Sequence, residues 1–492
     1  MTVNGKEPMV HAVCVPFAAQ GHITPMLQLA KFLNSKGIYI TFVNTQHNHH
    51  CMLSSNGPDS LKGTSSFRFE TFPDGLPPSN ANGFRDVFPL LLSLRVNCPQ
   101  PFMELLYRIN DPSTGSPPIT LIISDIHMPF ARDVARMFGD CPLVLFYPPS
   151  PCSFLAYAHL DNLLDKDILP FKGPDFMSDG SLNKKPENLA PSMKGIQLKD
   201  FPSFIRSTDK DHPLFKYMRD LVERAYGVPL IFNTFKALDQ EILNDISNLL
   251  VSSPIYTIGP LHCLANNLAQ DNTELGSLGC NLWKEDIKTL EWLDSKEPNS
   301  VLYVSFGTTL FMTNEQLIEF SWGLANSKYP FLWIIRPDMV IGGGSSIIPP
   351  EFLDEVKDRG MLSSWCAQEK VLNHPSVKVY LSHSGWNSTL ESISSGVPLI
   401  CWPSYADQPI NCWYSCEKLG VGLEMEGITR RDVEEIITEA MDSKKGKEIK
   451  KRTMEWKSLV KEAISLRGSS TLECDRFMNY LLSLKDQNNI SN

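Results

Sequence analysis

Short apolar runs alternate with amphipathic stretches along the whole chain. VHAVCVPF (10–17) reads as a strand and ITFVN (40–44) as the next one. Between them Leu27, Ala30 and Leu33 recur at helical spacing. Thr24 is placed to cap that helix with Pro25 at its first position, and Gly37 to close it. The same order returns at PITLIISD (118–125), helix-like PFARDVARMFG and PLVLFY (142–147). It returns again at VLYVSFG (301–307) and FLWII (331–335), separated by a helix whose Thr313 and Gln316 have capping-box spacing. VKVYLSH (377–383) and the helix-like run after it repeat the pattern. Strands alternating with helices throughout imply two doubly wound α/β domains.

The break between the two falls after IYTIGPL (255–261), where residues 262–288 are polar and aperiodic. This predicts an N-terminal domain over 1–261, a linker over 262–288 and a second domain over 289–470. A closing amphipathic helix is expected within 471–492, returning to the first domain. A length of 492 residues agrees with two cores rather than one.

Charge narrows the partners. The net charge is -10, with no basic run or stripe, which argues against nucleic acid or an anionic membrane surface. The N-terminus lacks the form of a signal peptide, and no run of about 18 apolar residues predicts a membrane span. The 12 cysteines are scattered, with Cys412 and Cys416 the closest pair. Free thiols in a reducing cytoplasm, in a monomeric protein, are the expectation.

LSHSGWNSTLES (381–392) breaks a strand at Gly385 and opens a helix. Such a corner points backbone N–H groups at one spot and favours an anion there. Gly385 lets a ligand approach the backbone, and His383, Asn387 and Ser388 can add side-chain hydrogen bonds. A purely local reading also exists: Asn387 as an N-cap, or Ser388 and Glu391 as a capping box. A dinucleotide is disfavoured, because no GxGxxG or Walker sequence occurs here.

The 44 residues from Trp365 to Gln408, WCAQEKVLNHPSVKVYLSHSGWNSTLESISSGVPLICWPSYADQ, resemble the signature box of plant family-1 UDP-sugar-dependent glycosyltransferases. The resemblance extends to PFAAQGHITP, SFGTT and WLDSKEPNS, and is greatest to the subgroup that glucosylates terpenoid, iridoid and cyanohydrin-type alcohols. It implies a GT-B fold, two Rossmann-like doubly wound domains facing a cleft, with the acceptor on the N-terminal side. It implies that Trp365 stacks on uracil, with Cys366, Ala367 and Gln368 beside the nucleoside. Glu391 would accept from the ribose diol. His383, Asn387 and Ser388, with Thr308, would hold the diphosphate; Trp386, Asp407 and Gln408 would read the sugar, Gln408 favouring UDP-glucose. Two departures stand out. Ser384 replaces a usual Cys, and Pro148 and Pro149 stand where the family often has a Ser or Thr near the sugar.

His22 and Asp125 follow two of the strands, at the ends where doubly wound sheets bind ligands. Both match the family's catalytic pair. An alcohol is a poor nucleophile and needs a base; imidazole suits neutral pH, and a carboxylate would orient it. The expected reaction is inverting transfer of glucose to a hydroxyl of a small hydrophobic terpenoid, phenolic or cyanohydrin. UDP-glucose is a co-substrate, with no cofactor and no metal ion. Asp165/Asp167 and Asp209/Asp211 fit a metal-binding DxD string but read as surface charges, and His47, His49 and His50 as a polar loop. A non-catalytic UDP-sugar sensor is the alternative; it could lack His22 or Asp125, and both are present.

Overall fold

A computed structural model describes residues 10–77, 85–271, 275–276, 278–279, 281–308, 310–336, 339 and 348–490. The chain forms two compact units. One comprises Met1–Pro151, Arg219–Trp283 and Ala463–Asn492; the other comprises Cys152–Met218 and Lys284–Glu462.

The first unit holds a parallel seven-stranded sheet in the order β3-β2-β1-β4-β5-β6-β7. Its strands are β1 (His11–Val15), β2 (Tyr39–Thr45), β3 (Phe67–Phe72), β4 (Leu121–Asp125), β5 (Leu143–Tyr147), β6 (Leu230–Phe232) and β7 (Ile255–Thr257). The second holds a parallel six-stranded sheet, β10-β9-β8-β11-β12-β13. These are β8 (Val301–Ser305), β9 (Phe331–Ile334), β10 (Gly360–Ser363), β11 (Val377–Ser382), β12 (Leu399–Cys401) and β13 (Gly422–Glu424). The inner strands read as unbroken apolar runs because helices cover both faces of a parallel sheet. Five strands are missing from the sequence pattern, β3, β6, β10, β12 and β13, and four of them have a plain reason to be. β3 is an edge strand, and only Phe67 and Phe72 are buried in it. β6, β12 and β13 have three residues each, too few to show a period.

Three boundaries depart from the sequence reading. The first helix begins at Gln20, not after Thr24, and Pro25 lies inside it. Residues 262–288 do not start as a linker. A helix runs Leu261–Asp271, and Leu264, Leu275, Leu278 and Leu282 are buried in the first unit's core; residues 272–274, 277 and 280 lie outside the described set. The first unit is also not one contiguous stretch, since residues 152–218 group with the second. The helix Ser469–Ile490 belongs to the first unit, with Phe477 edge-on to Tyr256 at 4.9 Å between ring centres. Residues 1–9 and 491–492, at the ends of the expected domains, lie outside the described set. The capping box at Thr313 and Gln316 forms as its spacing predicts: each backbone N–H donates to the other's side chain.

His11 is buried in β1. Its Nδ1 lies 2.7 Å from the Pro117 carbonyl and its Nε2 2.8 Å from Thr41 Oγ1. Burial pulls its pKa down to about 4.

Candidate active site

In the first unit β1 and β4 are parallel neighbours, Val15 beside Ser124. Their carboxyl ends therefore open side by side. His22 sits in the first turn of the helix that follows β1, and Asp125 is the last residue of β4. The Gln20 side chain anchors the turn: its amide donates to Thr24 Oγ1 (2.8 Å) and its carbonyl accepts from Leu282 N (2.9 Å).

His22 Nδ1 lies 2.7 Å from Asp125 Oδ2. The other carboxylate oxygen accepts from the backbone N–H and Nδ1 of His127, both at 2.9 Å. Burial alone would raise the pKa of Asp125. The His22 charge, with the hydrogen bonds from His127 and His22, outweighs burial and holds it well below the usual carboxylate range. An ionised carboxylate only accepts, so His22 Nδ1 carries a proton, and in the neutral ring the lone pair is on Nε2. That is the tautomer a general base requires. His127 packs edge-on against His22 at 4.8 Å and stacks on Tyr147 at 5.7 Å; burial lowers its pKa against the pull of Asp125. The sequence reading missed His127. Its signal was a histidine two residues beyond an aspartate that ends a strand.

The residues weighed as metal ligands are dispersed. Asp165 ends the helix Leu160–Asp165, and exposed Asp167 pairs with Lys172. Asp209 and Asp211 lie in a loop, where Asp209 accepts from Asp211 N at 2.9 Å. His47, His49 and His50 are helical rather than in a loop: Thr45 caps Gln46–Asn56 by accepting from Asn48 N.

In the second unit the residues that the resemblance would assign to the donor follow the carboxyl ends of β8, β10, β11 and β12. Thr308 comes after β8, Trp365 after β10, His383 after β11 and Asp407 after β12. The corner at 381–392 is not capped as local chemistry suggested. The helix starts at Trp386 with Gly385 as N-cap, a residue with no side chain to cap it. Asn387 and Ser388 lie inside the helix, so neither is its N-cap. Trp386 is buried, Asn387 half-buried. A Cβ on Gly307 or on Gly385 would stand 2.6 Å from the His383 ring. The two glycines thus make room for that ring between two turns.

His383 is buried, and burial with the charge of Arg336 brings its pKa down to about 4. It is neutral at pH 7 and can offer a hydrogen bond but not a charge. His11 and His383 give a pH prediction. Their folded pKa values lie below the ordinary 6.5, so the unfolded chain binds protons first as pH falls. The stability they confer is complete above about pH 6.5 and is lost as pH drops toward 4. Thermal midpoints should fall between about pH 7 and pH 5, and His11→Gln with His383→Gln should flatten that slope. An unchanged slope would mean that neither ring is buried neutral.

Gln368 ties β8, β11 and the helix Trp386–Ser395 together. Its carbonyl accepts from Tyr303 (3.0 Å) and Tyr380 (3.1 Å), and its amide donates to Ser388 Oγ (2.9 Å) and Glu391 Oε2 (2.6 Å). Cys366 Sγ lies 3.3 Å from the Tyr303 hydroxyl, and Ala367 precedes the helix Gln368–Leu372. In the loop after β12 the Gln408 carbonyl accepts from Ser404 N and Tyr405 N, each at 2.9 Å. Asn411 bridges this loop to the corner, donating to Asp407 Oδ2 (2.9 Å) and to the Ser384 carbonyl (3.0 Å). Ser203 grips the loop from the other side: Ala406 N donates to its Oγ and its own N donates to the Ala406 carbonyl, both 2.8 Å. Ser203 carried no sequence signal, because its partner lies about 200 residues away.

Residues 215–463 match the family described as UDP-glucoronosyl and UDP-glucosyl transferase. The chain belongs to that family. It is 49% identical to 7-deoxyloganetin glucosyltransferase of Gardenia jasminoides, over 96% of this chain and 98% of that one. It is 48% identical to (R)-mandelonitrile beta-glucosyltransferase of Prunus dulcis, over 97% and 98%. Among solved structures it resembles Os79 from O. sativa in complex with UDP, with a TM-score of 0.77, 26% identity and coverage of 96% and 100%. The protein is thus a plant family-1 glycosyltransferase with two α/β units of GT-B type, taking a UDP-sugar donor and a small-molecule acceptor. Among the described residues no helix is long and apolar enough to cross a membrane.

Proposed function

We propose that the protein transfers glucose from UDP-glucose, with inversion and without a metal ion, to a hydroxyl of a small hydrophobic terpenoid, phenolic or cyanohydrin. The observation that carries the reading is the 2.7 Å pairing of His22 with the fully buried carboxylate of Asp125. His22 Nε2 takes the hydroxyl proton as the oxygen attacks the anomeric carbon; the bond to UDP breaks on the opposite face. Asp125 stabilises the imidazolium that results. Trp365 and Gln368 hold the nucleoside, Glu391 the ribose, and Thr308, Asn387 and Ser388 the diphosphate. Charge developing on the leaving diphosphate meets the first-turn N–H groups of the helix Trp386–Ser395 and a neutral His383 donor. The names of the two relatives support an alcohol of iridoid or cyanohydrin type.

Incubation with UDP-glucose and a panel of terpenoid, phenolic and cyanohydrin alcohols tests this by mass spectrometry, with the anomeric configuration read by NMR. A β-glucoside formed at an unchanged rate in chelator is the expected result. An α-glucoside, a metal requirement, or no product with any alcohol would refute it. Ser203→Ala should raise the KM for UDP-glucose about two- to tenfold, about 1 kcal/mol for one lost hydrogen bond, and leave UDP affinity nearly unchanged. An equal loss for UDP would place Ser203's effect on the whole unit rather than on the sugar loop.

A further inference from the structure

Three cysteines that are scattered in sequence converge in the second unit. Cys401 ends β12, Cys412 lies in the helix Gln408–Trp413, and Cys416 in the π-helical turn Tyr414–Lys418 that continues it. Their sulfurs all lie within 4.8 Å of one another. Cys401 and Cys412 are buried and Cys416 is half-buried, so the group has one side nearer solvent. Cys412 and Cys416, four residues apart, share a helix face, and π turns recur at functional sites.

Two further features face the same sulfurs. Gly422 of β13 stands against them: a Cβ there would lie 3.3 Å from Cys401 Sγ and 3.4 Å from Cys416 Sγ. Its backbone is ordinary strand, so the missing side chain serves space rather than conformation. Ser384 is fully buried, and its hydroxyl is a hydrogen-bonding neighbour of the Cys401 thiol.

We propose that Cys401, Cys412 and Cys416, completed by Ser384 Oγ, bind one thiophilic d10 cation of the Zn2+ or Cu+ class. With metal–sulfur bonds of about 2.3 Å, sulfurs around a tetrahedral or trigonal ion stand about 3.8–4.0 Å apart. The observed cluster needs a contraction of less than about 1 Å to reach that spacing. Three sulfurs alone suit Cu+; three sulfurs and a hydroxyl suit Zn2+. Each coordinating thiol releases its proton to solvent, so binding tightens as pH rises. The ion would join β12 to the helix Gln408–Trp413, and the transfer proposed above takes no step through it.

The test is direct titration of the reduced, full-length protein with Cd2+, read by its thiolate-to-metal absorption, and with Cu+ against a competing chelator. This readout does not depend on glycosyl transfer. One equivalent is expected, with affinity lowered at least tenfold in Cys416→Ser and in Gly422→Ala, the latter keeping every sulfur. Cys141→Ser, a half-buried thiol of the first unit, should bind as wild type does. Ser384→Ala should weaken Cd2+ and leave Cu+ unchanged. Absence of the absorption band, or a band unaltered by both Cys416→Ser and Gly422→Ala in folded protein, overturns the site. Unchanged Cd2+ affinity in Ser384→Ala overturns the hydroxyl's part in it.

Discussion

Replacing His22 by Ala should lower kcat about 100- to 10,000-fold, the usual range for a positioned base. The geometry behind the figure is specific. Nδ1 is engaged by an ionised, buried Asp125, so Nε2 is the nitrogen left with a lone pair. Asp125→Asn should cost a comparable amount or less, because the shape survives while the charge that stabilises imidazolium does not. The amide would also meet a histidine Nδ1 on each side, where the carboxylate accepts from both. UDP affinity should survive both changes. The two losses should not add, since the residues act as one unit. Kinetics on a well-bound alcohol decide the matter. A double variant whose loss equals the sum of the singles would uncouple the pair, and near wild-type turnover in folded His22→Ala would move the base elsewhere.

Glu391→Ala should weaken UDP binding by roughly 1–3 kcal/mol, about 5- to 150-fold in Kd. It strips a charged acceptor from the proposed ribose contact and also releases the Gln368 amide, which now donates to Glu391 Oε2. The loss should therefore be shared with Gln368→Ala, and the double variant should lose less than the sum. Calorimetry showing unchanged UDP affinity in Glu391→Ala would take this residue out of the donor site.

Much of the fold was open to reading because buried parallel strands are continuous apolar runs, and helices between them repeat at helical spacing. Such signals are local. They set the carboxyl ends of β1, β4, β8 and β11 to within about two residues, while the roles of His22, Asp125, Thr308 and His383 came from the family resemblance. They misplaced what depends on distant packing. Residues 262–288 look polar and aperiodic, yet Leu264 and Leu282 are buried in the first unit's core. Residues 152–218 precede two strands of the first sheet in sequence but group with the second unit.

By itself, then, the sequence determined the strand–helix alternation, the residue types at each strand's carboxyl end and the donor box as a linear signature. Strand order decided the rest. Asp125 meets His22 because β4 pairs with β1 rather than with β3. Ser203 reaches Ala406, and Cys401 reaches Cys412 and Cys416, only once chain segments separated in sequence have packed. A period of two or of 3.6 residues records which face of an element is buried, and not which other element covers it.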